Sequence, residues 1–237
     1  MKNQKYGCHH CHNRSCIHRV PIFAPLDPNE LERVAGLVTH KQYYKGELVI
    51  IAGQYNESLI IINHGKVKAF RNSRDGREQI LYIFSGGDFF GETNLLRDRV
   101  TNYNVETLEE TGVCLIGKND FQLLIRNYPE IGFKIMAELC NRLEAFENIV
   151  QNMGANNVES RINAVLLEFA HKFGKDHPRG VMVELPLSRE GIANYIGVTR
   201  ETVSRKLNML EEERLIETDG NKKIIILDYR ALEQSIE

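Results

Sequence analysis

No apolar stretch in this 237-residue sequence comes near the roughly 20 residues that span a bilayer. The longest, residues 48–52, 59–62 and 224–227, fall far short, so a transmembrane helix is not expected. Residues 1–7 are polar and carry Lys2 and Lys5 with no apolar segment behind them. That pattern excludes a secretory signal and leads us to expect a cytoplasmic chain with no membrane partner. Compositional bias is lacking too: apolar residues make up 42% and charged residues 26%, with 18 Gly and 6 Pro. Disordered, collagen-like and low-complexity classes are thereby excluded, and the length suffices for a buried core without disulfide support. Net charge is only -2, which neither supports nor forbids a nucleic-acid partner. Locally the balance differs, because residues 1–20 hold Lys2, Lys5, Arg14 and Arg19 without one Asp or Glu, a charge of +4.

The five cysteines are unevenly placed: Cys8, Cys11 and Cys16 crowd the first 16 residues, whereas Cys114 and Cys140 stand alone. In a reducing compartment such clustering favours metal or redox chemistry over structural disulfides. His9, His10, His12 and His18 interleave with the thiols, so a mixed Cys/His zinc site is chemically reasonable. The spacing Cys8-x-x-Cys11 also suits a dithiol/disulfide switch. Residues 1–20 are therefore read as a metal- or cluster-binding head. Cys140, inside a long helical pattern, reads as a small core hydrophobe.

Asp27-Pro28 reads as an N-cap with Pro at the first helical position, and Leu31, Val34 and Leu37 as the apolar face that follows. From residue 43 to about 116 the pattern is strand-like, with β-rich runs at 48–51, 59–62, 67–70 and 80–84. Turn glycines at Gly53, Gly65, Gly76 and Gly86 recur at the spacing of an all-β sandwich or barrel. Residues 21–128 are expected to form a β-roll. Pro129 then opens a helix over 129–154, with Ile131, Ile135, Leu139, Leu143, Phe146, Val150 and Met153 every three or four residues. The stripe could pack on the β-roll or pair with a second chain. A helix of about 37 Å outreaches a small domain, which favours a homodimer with those seven residues at the interface. After a polar joint at 155–157, residues 155–237 read as helix, strand (181–185), helix, tight turn at Gly197, helix (199–212) and a hairpin turning at Asp219-Gly220. That order is a winged helix-turn-helix, so the whole chain is an α+β protein.

Ile192, Ala193, Ile196, Gly197, Val198, Val203 and Leu207 supply the helix-turn-helix core, its small crossing residue and its turn glycine. Thr199 is the expected N-cap of the second helix, which sets Arg200, Glu201, Ser204 and Arg205 at its leading, outward end. Glu201 can accept from cytosine N4 and Arg205 can grip guanine O6 and N7. The bland alternative is an exposed helix on which Glu201 and Arg205 merely pair with each other.

The segment Gly-Val-Thr-Arg-Glu-Thr-Val-Ser-Arg-Lys-Leu at 197–207 resembles the recognition helix of the CRP/FNR superfamily, the cyclic-AMP receptor and anaerobic regulators of bacteria. Tyr44-Lys45-Gly46-Glu47, His64-Gly65-Lys66-Val67 and Gly86-Gly87-Asp88-Phe89-Phe90-Gly91-Glu92 are similar to that family's β-roll turns. The likeness runs from about residue 20 to the end. It implies a cyclic-nucleotide-binding-type β-roll, a dimerisation helix, double-stranded DNA with a two-fold symmetric site as ligand, and RNA polymerase as a partner. Glu201, Ser204 and Arg205 imply half-sites with a TGA-like core, while Ser204 resembles the anaerobic-regulator pattern and Arg200 the cyclic-AMP receptor pattern, which leaves the outer base open. In the nucleotide-binding members a Glu after Gly-Asp-Phe holds the ribose and an Arg-Ser or Arg-Thr about ten residues on holds the phosphate. Here Glu92 is present, but the phosphate position falls near Asn102-Tyr103, and Arg99 would need a three-residue shift to serve.

The cysteine head resembles the branch with an oxygen-labile 4Fe-4S cluster, whose ligands here would be Cys8, Cys11, Cys16 and Cys114. The spacing departs from that branch by one residue between the second and third ligands. The resemblance thus implies a redox- or oxygen-responsive regulator, with zinc or a dithiol as alternatives. An enzyme is not expected: no Gly-x-Ser-x-Gly motif occurs, and a cupin-type metalloenzyme would need a His-x-His pair in the β-half, where His40 and His64 are isolated.

Overall fold

In a computed structural model, residues 16–73, 76–96, 100–153, 158–220 and 222–235 are described. The described residues divide into two compact units, those within 1–71 and 82–148 and those within 72–81 and 149–237. Cys8 and Cys11 lie outside the described residues, as does the joint expected at 155–157.

Two short 3-10 turns, Cys16–Arg19 and Pro21–Phe23, lead into helix α1 (Pro28–Ala35). Its start is fixed as the sequence suggests. The Asp27 carboxylate accepts from the backbone N–H groups of Asn29 and Glu30, and Glu30 Oε2 accepts from Asp27 N–H at 2.8 Å, a complete capping box. Leu31 and Val34 are buried, while Leu37 lies past the helix end and packs on the same core.

The strands are β1 (Val38–Tyr43), β2 (Leu48–Ile50), β3 (Ser58–His64), β4 (Lys66–Asn72), β5 (Glu78–Ser85), β6 (Phe89–Phe90), β7 (Asn104–Thr107) and β8 (Thr111–Gly117), with the short helix α2 (Glu92–Leu96) between β6 and β7. They form two antiparallel sheets of order β1-β8-β3-β6 and β2-β7-β4-β5. Strand β3 is apolar at every position from 59 to 62 because its sheet is covered on both faces. Ile60 and Ile62 meet Ile50, Val67, Ala69 and Val105 between the sheets, whereas Leu59 and Ile61 meet helices on the other side. Positive φ at Gly53, Gly65 and Gly76 confirms three expected turns; at the fourth it falls on Gly87 (99°) and not on Gly86.

Helix α3 (Lys118–Asn127) and helix α4 (Pro129–Met153) close this side, and Lys134 of α4 pairs with the buried Glu30 carboxylate at 2.6 Å. The second unit holds α5 (Val158–Phe173), β9 (Gly174–His177), β10 (Gly180–Glu184), α6 (Arg189–Ile196), α7 (Arg200–Glu212), β11 (Ile216–Asp219), β12 (Lys223–Ile226) and α8 (Tyr229–Gln234). Its sheet order is β11-β12-β10-β9. The architecture is the expected α+β one: a β-roll, a long helix and a winged helix-turn-helix. Among the described residues, no helix is long and apolar enough to cross a membrane.

Candidate nucleic-acid interface and cysteine site

Helix α6 begins at Ser188, whose hydroxyl accepts from Gly191 N–H, and ends at Gly197 with φ 73°, a left-handed conformation that glycine adopts without a Cβ clash. The chain restarts at once, because Thr199 Oγ1 accepts from Thr202 N–H and caps α7. Val203, Leu207 and Leu210 are buried, as are Ile192 and Ala193 of α6, so the two helices share one small core. Arg200, Glu201 and Arg205 are exposed and Ser204 is half-exposed. Among the described residues no ion pair joins Glu201 to Arg205. Hydrogen bonds from its own N–H and from Thr199, with Arg200 nearby, hold the Glu201 carboxyl below the usual glutamate range. It is therefore a charged acceptor at neutral pH.

Lys206 behaves differently from its neighbours. It is 8% exposed and turns inward to Glu159 of α5, at 3.3 Å, so it is not among the outward-facing cations. Arg161 of α5 donates to the carbonyl of Ile196, which satisfies the end of α6. At the far end of α7, Glu211 Oε1 accepts from both Thr218 N–H (2.9 Å) and Thr218 Oγ1–H (2.8 Å), tying the β11–β12 hairpin to the helix. These bonds, the backbone one first, hold the Glu211 carboxyl below its ordinary value.

The stripe on α4 divides. Ile131 (0% exposed) and Ile135 (6%) lie in the core of the chain's own β-roll, and Leu139 packs partly on it. The expectation that Ile131 and Ile135 face a second chain is corrected, because their own domain already covers them, whereas Leu139 is only partly covered. Leu143 is 60% exposed; the side chains of Phe146, Val150 and Met153 lie outside the description. Phe133 (70% exposed) and Met136 (51%) stand out instead, and Cys140 is exposed, which corrects its reading as a core hydrophobe. Residues 133, 136, 140 and 143 follow a heptad-like spacing that a search for the most apolar stripe passes over.

Cys114 is fully buried, on the helix-facing side of β8. It shares an apolar cluster with Ile17, Val20, Ile22 and Phe23 of the segment that follows Cys16, and with Ile131 and Ile135 of α4. Opposite Cys114 in the β1–β8 register stands His40, with Nδ1 3.3 Å from Sγ. The sequence left His40 isolated. No local signal could find a pair 74 residues apart; only the strand register brings it together. Among the described residues no three metal-ligating side chains are grouped.

Near the phosphate position of the nucleotide-binding relatives, Thr101 is buried, Asn102 exposed and Tyr103 half-buried. Burial first, then the charge of Glu92 and the neighbouring Tyr82, pushes the Tyr103 phenol up to about 12. Arg71, on β4, donates Nε to the Asn102 carbonyl at the surface, and Arg99 is not among the described residues.

The Crp-like helix-turn-helix domain model matches residues 160–235, and the cyclic nucleotide-binding domain model matches residues 40–128. The chain is similar to the "Probable transcriptional regulator flp" of Lacticaseibacillus casei, at 33% identity over 92% of this chain and 97% of that protein. It is similar to the "cAMP-activated global transcriptional regulator CRP" of Pasteurella multocida, at 33% identity over 81% of this chain and 90% of that one. Among solved structures, FixK2 from Bradyrhizobium japonicum superimposes with a TM-score of 0.72 at 24% identity, covering 84% of this chain and 98% of that one.

Proposed function

The chain belongs to the CRP/FNR family of DNA-binding transcription regulators, not to an enzyme family, and from that premise we propose that it is a dimeric regulator whose DNA affinity responds to oxygen or redox state through a centre on Cys8, Cys11, Cys16 and Cys114. The observation that carries this reading is one apolar cluster. It contains the head residues Ile17 and Val20, the thiol of Cys114, and Ile131 and Ile135 at the start of α4. The chemistry fits a 4Fe-4S group: three thiols end one residue before Ile17, and the fourth is shielded from water among the same side chains. When bound, such a group supplies an oxygen-labile tie between head and β-roll, its anionic charge offset by the +4 head. The residues do the rest. Loss of the tie frees Ile17 and Val20 from Ile131 and Ile135, shifting the α4 pair away from the DNA-competent arrangement.

Zinc remains the second reading, because His40 stands beside Cys114 and four histidines interleave with the head thiols. A dithiol/disulfide switch at Cys8-x-x-Cys11 is the third. A cyclic nucleotide is the less favoured reading, because the position of the family's phosphate-holding Arg-Ser or Arg-Thr falls near Asn102-Tyr103, and the neighbouring Arg71 donates to the Asn102 carbonyl.

On the DNA side, Arg200, Glu201, Ser204 and Arg205 read a two-fold symmetric site with TGA-like half-sites, and RNA polymerase is the expected protein partner. In the dimer, Phe133, Met136 and Leu143 meet their counterparts. The domains accordingly are the head (1–20), the β-roll (21–128), the dimerisation helix (129–154) and the winged helix (155–237). Purification without oxygen, with iron, acid-labile sulfide and zinc measured alongside the visible spectrum before and after air, tests the centre. Stoichiometric iron and sulfide with an air-bleached brown colour is the expected result. Zinc without sulfide overturns it.

A further inference from the structure

His40 lies on β1, an edge strand whose residues 39–42 are all exposed. The register sets Val38, His40 and Gln42 opposite Ile116, Cys114 and Gly112 of β8. Residues directly opposite in an antiparallel pair project from the same face of the sheet. His40 and Cys114 therefore meet side by side, with Nδ1 3.3 Å from Sγ. An apolar β-branched side chain at position 40 would cover Cys114 equally well. An imidazole adds one thing: a ring nitrogen within hydrogen-bond distance of sulfur.

We propose that His40 is the positioning residue for Cys114, donating Nδ1–H to its sulfur and so holding this thiolate in place as the ligand that the β-roll contributes to the redox centre. The inference rests on the reading of Cys114 as a ligand. A thiolate buried among Ile17, Ile61 and Ile116 has lost its water, and buried charge is tolerated when a donor replaces that water. His40 supplies the donor from an exposed position on a strand edge. Three ligands come from a short head segment and one from the sheet, so the sheet ligand fixes where the head docks. Hydrogen bonds to cluster sulfurs stabilise the more negative, reduced state and raise the reduction potential. Losing such an outer contact commonly costs about tenfold or more in metal affinity.

The test compares wild type, His40→Leu, His40→Asn and Cys114→Ser as full-length proteins reconstituted without oxygen with ferrous iron and sulfide, and in parallel loaded with cobalt(II). Leu keeps bulk without a donor, whereas Asn places an amide N–H close to where Nδ1 stands. We expect His40→Leu to bleach several-fold faster in air and to show a lower reduction potential, with His40→Asn restoring part of both. Cys114→Ser should form no cluster, and the metal-free His40→Leu protein should melt with the wild type. Equal bleaching and equal potentials in His40→Leu and wild type overturn the proposal. So does a melting loss that Asn fails to mend, because that marks a packing role. If wild type takes cobalt but no iron and sulfide, the cluster reading alone fails, and His40 is judged on cobalt. Binding weakened about tenfold in His40→Leu then supports it, and unchanged binding overturns it. A wild type that takes neither metal overturns both.

Discussion

Replacing Arg205 by Ala isolates base reading from everything else that α7 does. The guanidinium is exposed and, among the described residues, forms no ion pair with the protein. The inward face of Val203, Leu207 and Leu210 is untouched, so thermal stability should stay within about 0.5 kcal/mol, as for surface substitutions in general. On DNA the loss is larger. A bidentate grip on guanine is worth ~1–3 kcal/mol of discrimination, and a dimer loses one in each half-site, so Kd for the symmetric site should rise roughly 30-fold or more. Random DNA should lose far less, because there Arg205 can act only as one phosphate contact among several. Fluorescence anisotropy at fixed salt, on the symmetric site, on the site with that guanine changed, and on random duplex, separates the two. Equal weakening on all three duplexes would refute base reading by Arg205 and leave it a backbone contact.

Other consequences follow from the same geometry. Phe133→Asp with Leu143→Asp should turn a dimer into a monomer in light scattering, since each side chain buries ~1.5–3 kcal/mol of apolar surface when covered; a surviving dimer rejects that face. The Glu211 carboxyl sits below 4.5, its ordinary value, so the stability it contributes is present above that pH and is lost as pH falls through the lower folded value. Melting curves of Glu211→Gln should accordingly show less acid destabilisation than wild type, and an identical pH profile would contradict this. Gly174→Ala should destabilise the winged helix by ~1–3 kcal/mol in chemical denaturation, because its Cβ would lie 2.7 Å from Val181 Cγ1 and closer still to the Ala170 carbonyl.

Where a structural feature is written in neighbouring residues, the sequence announces it. Asp27 with Glu30, Thr199 with Thr202, and the unbroken apolar run of β3 each reflect contacts within a few residues or the simple fact of two-sided burial. Helix α3 escaped notice because its N-cap is Gly117, which carries no capping side chain. Strands β1 and β9 show no apolar alternation, since both are edge strands that face solvent. Lys206 looks like any recognition-helix cation until the position of Glu159 is known. The α4 stripe misleads for a related reason. Its most apolar residues are those that the β-roll itself buries, and periodicity does not say which partner covers a face. His40 and Cys114 are joined only by strand register.

If oxidation acts on DNA affinity through the core around Cys114, it shows in the affinity of oxygen-free protein for the symmetric site before and after air, measured for wild type and for Cys114→Ser. Wild type should bind tightly without oxygen and weaken on exposure, while Cys114→Ser should bind with one affinity in both conditions. Site-specific binding by wild type that is unchanged by air, or an oxygen response that persists in Cys114→Ser, would contradict it.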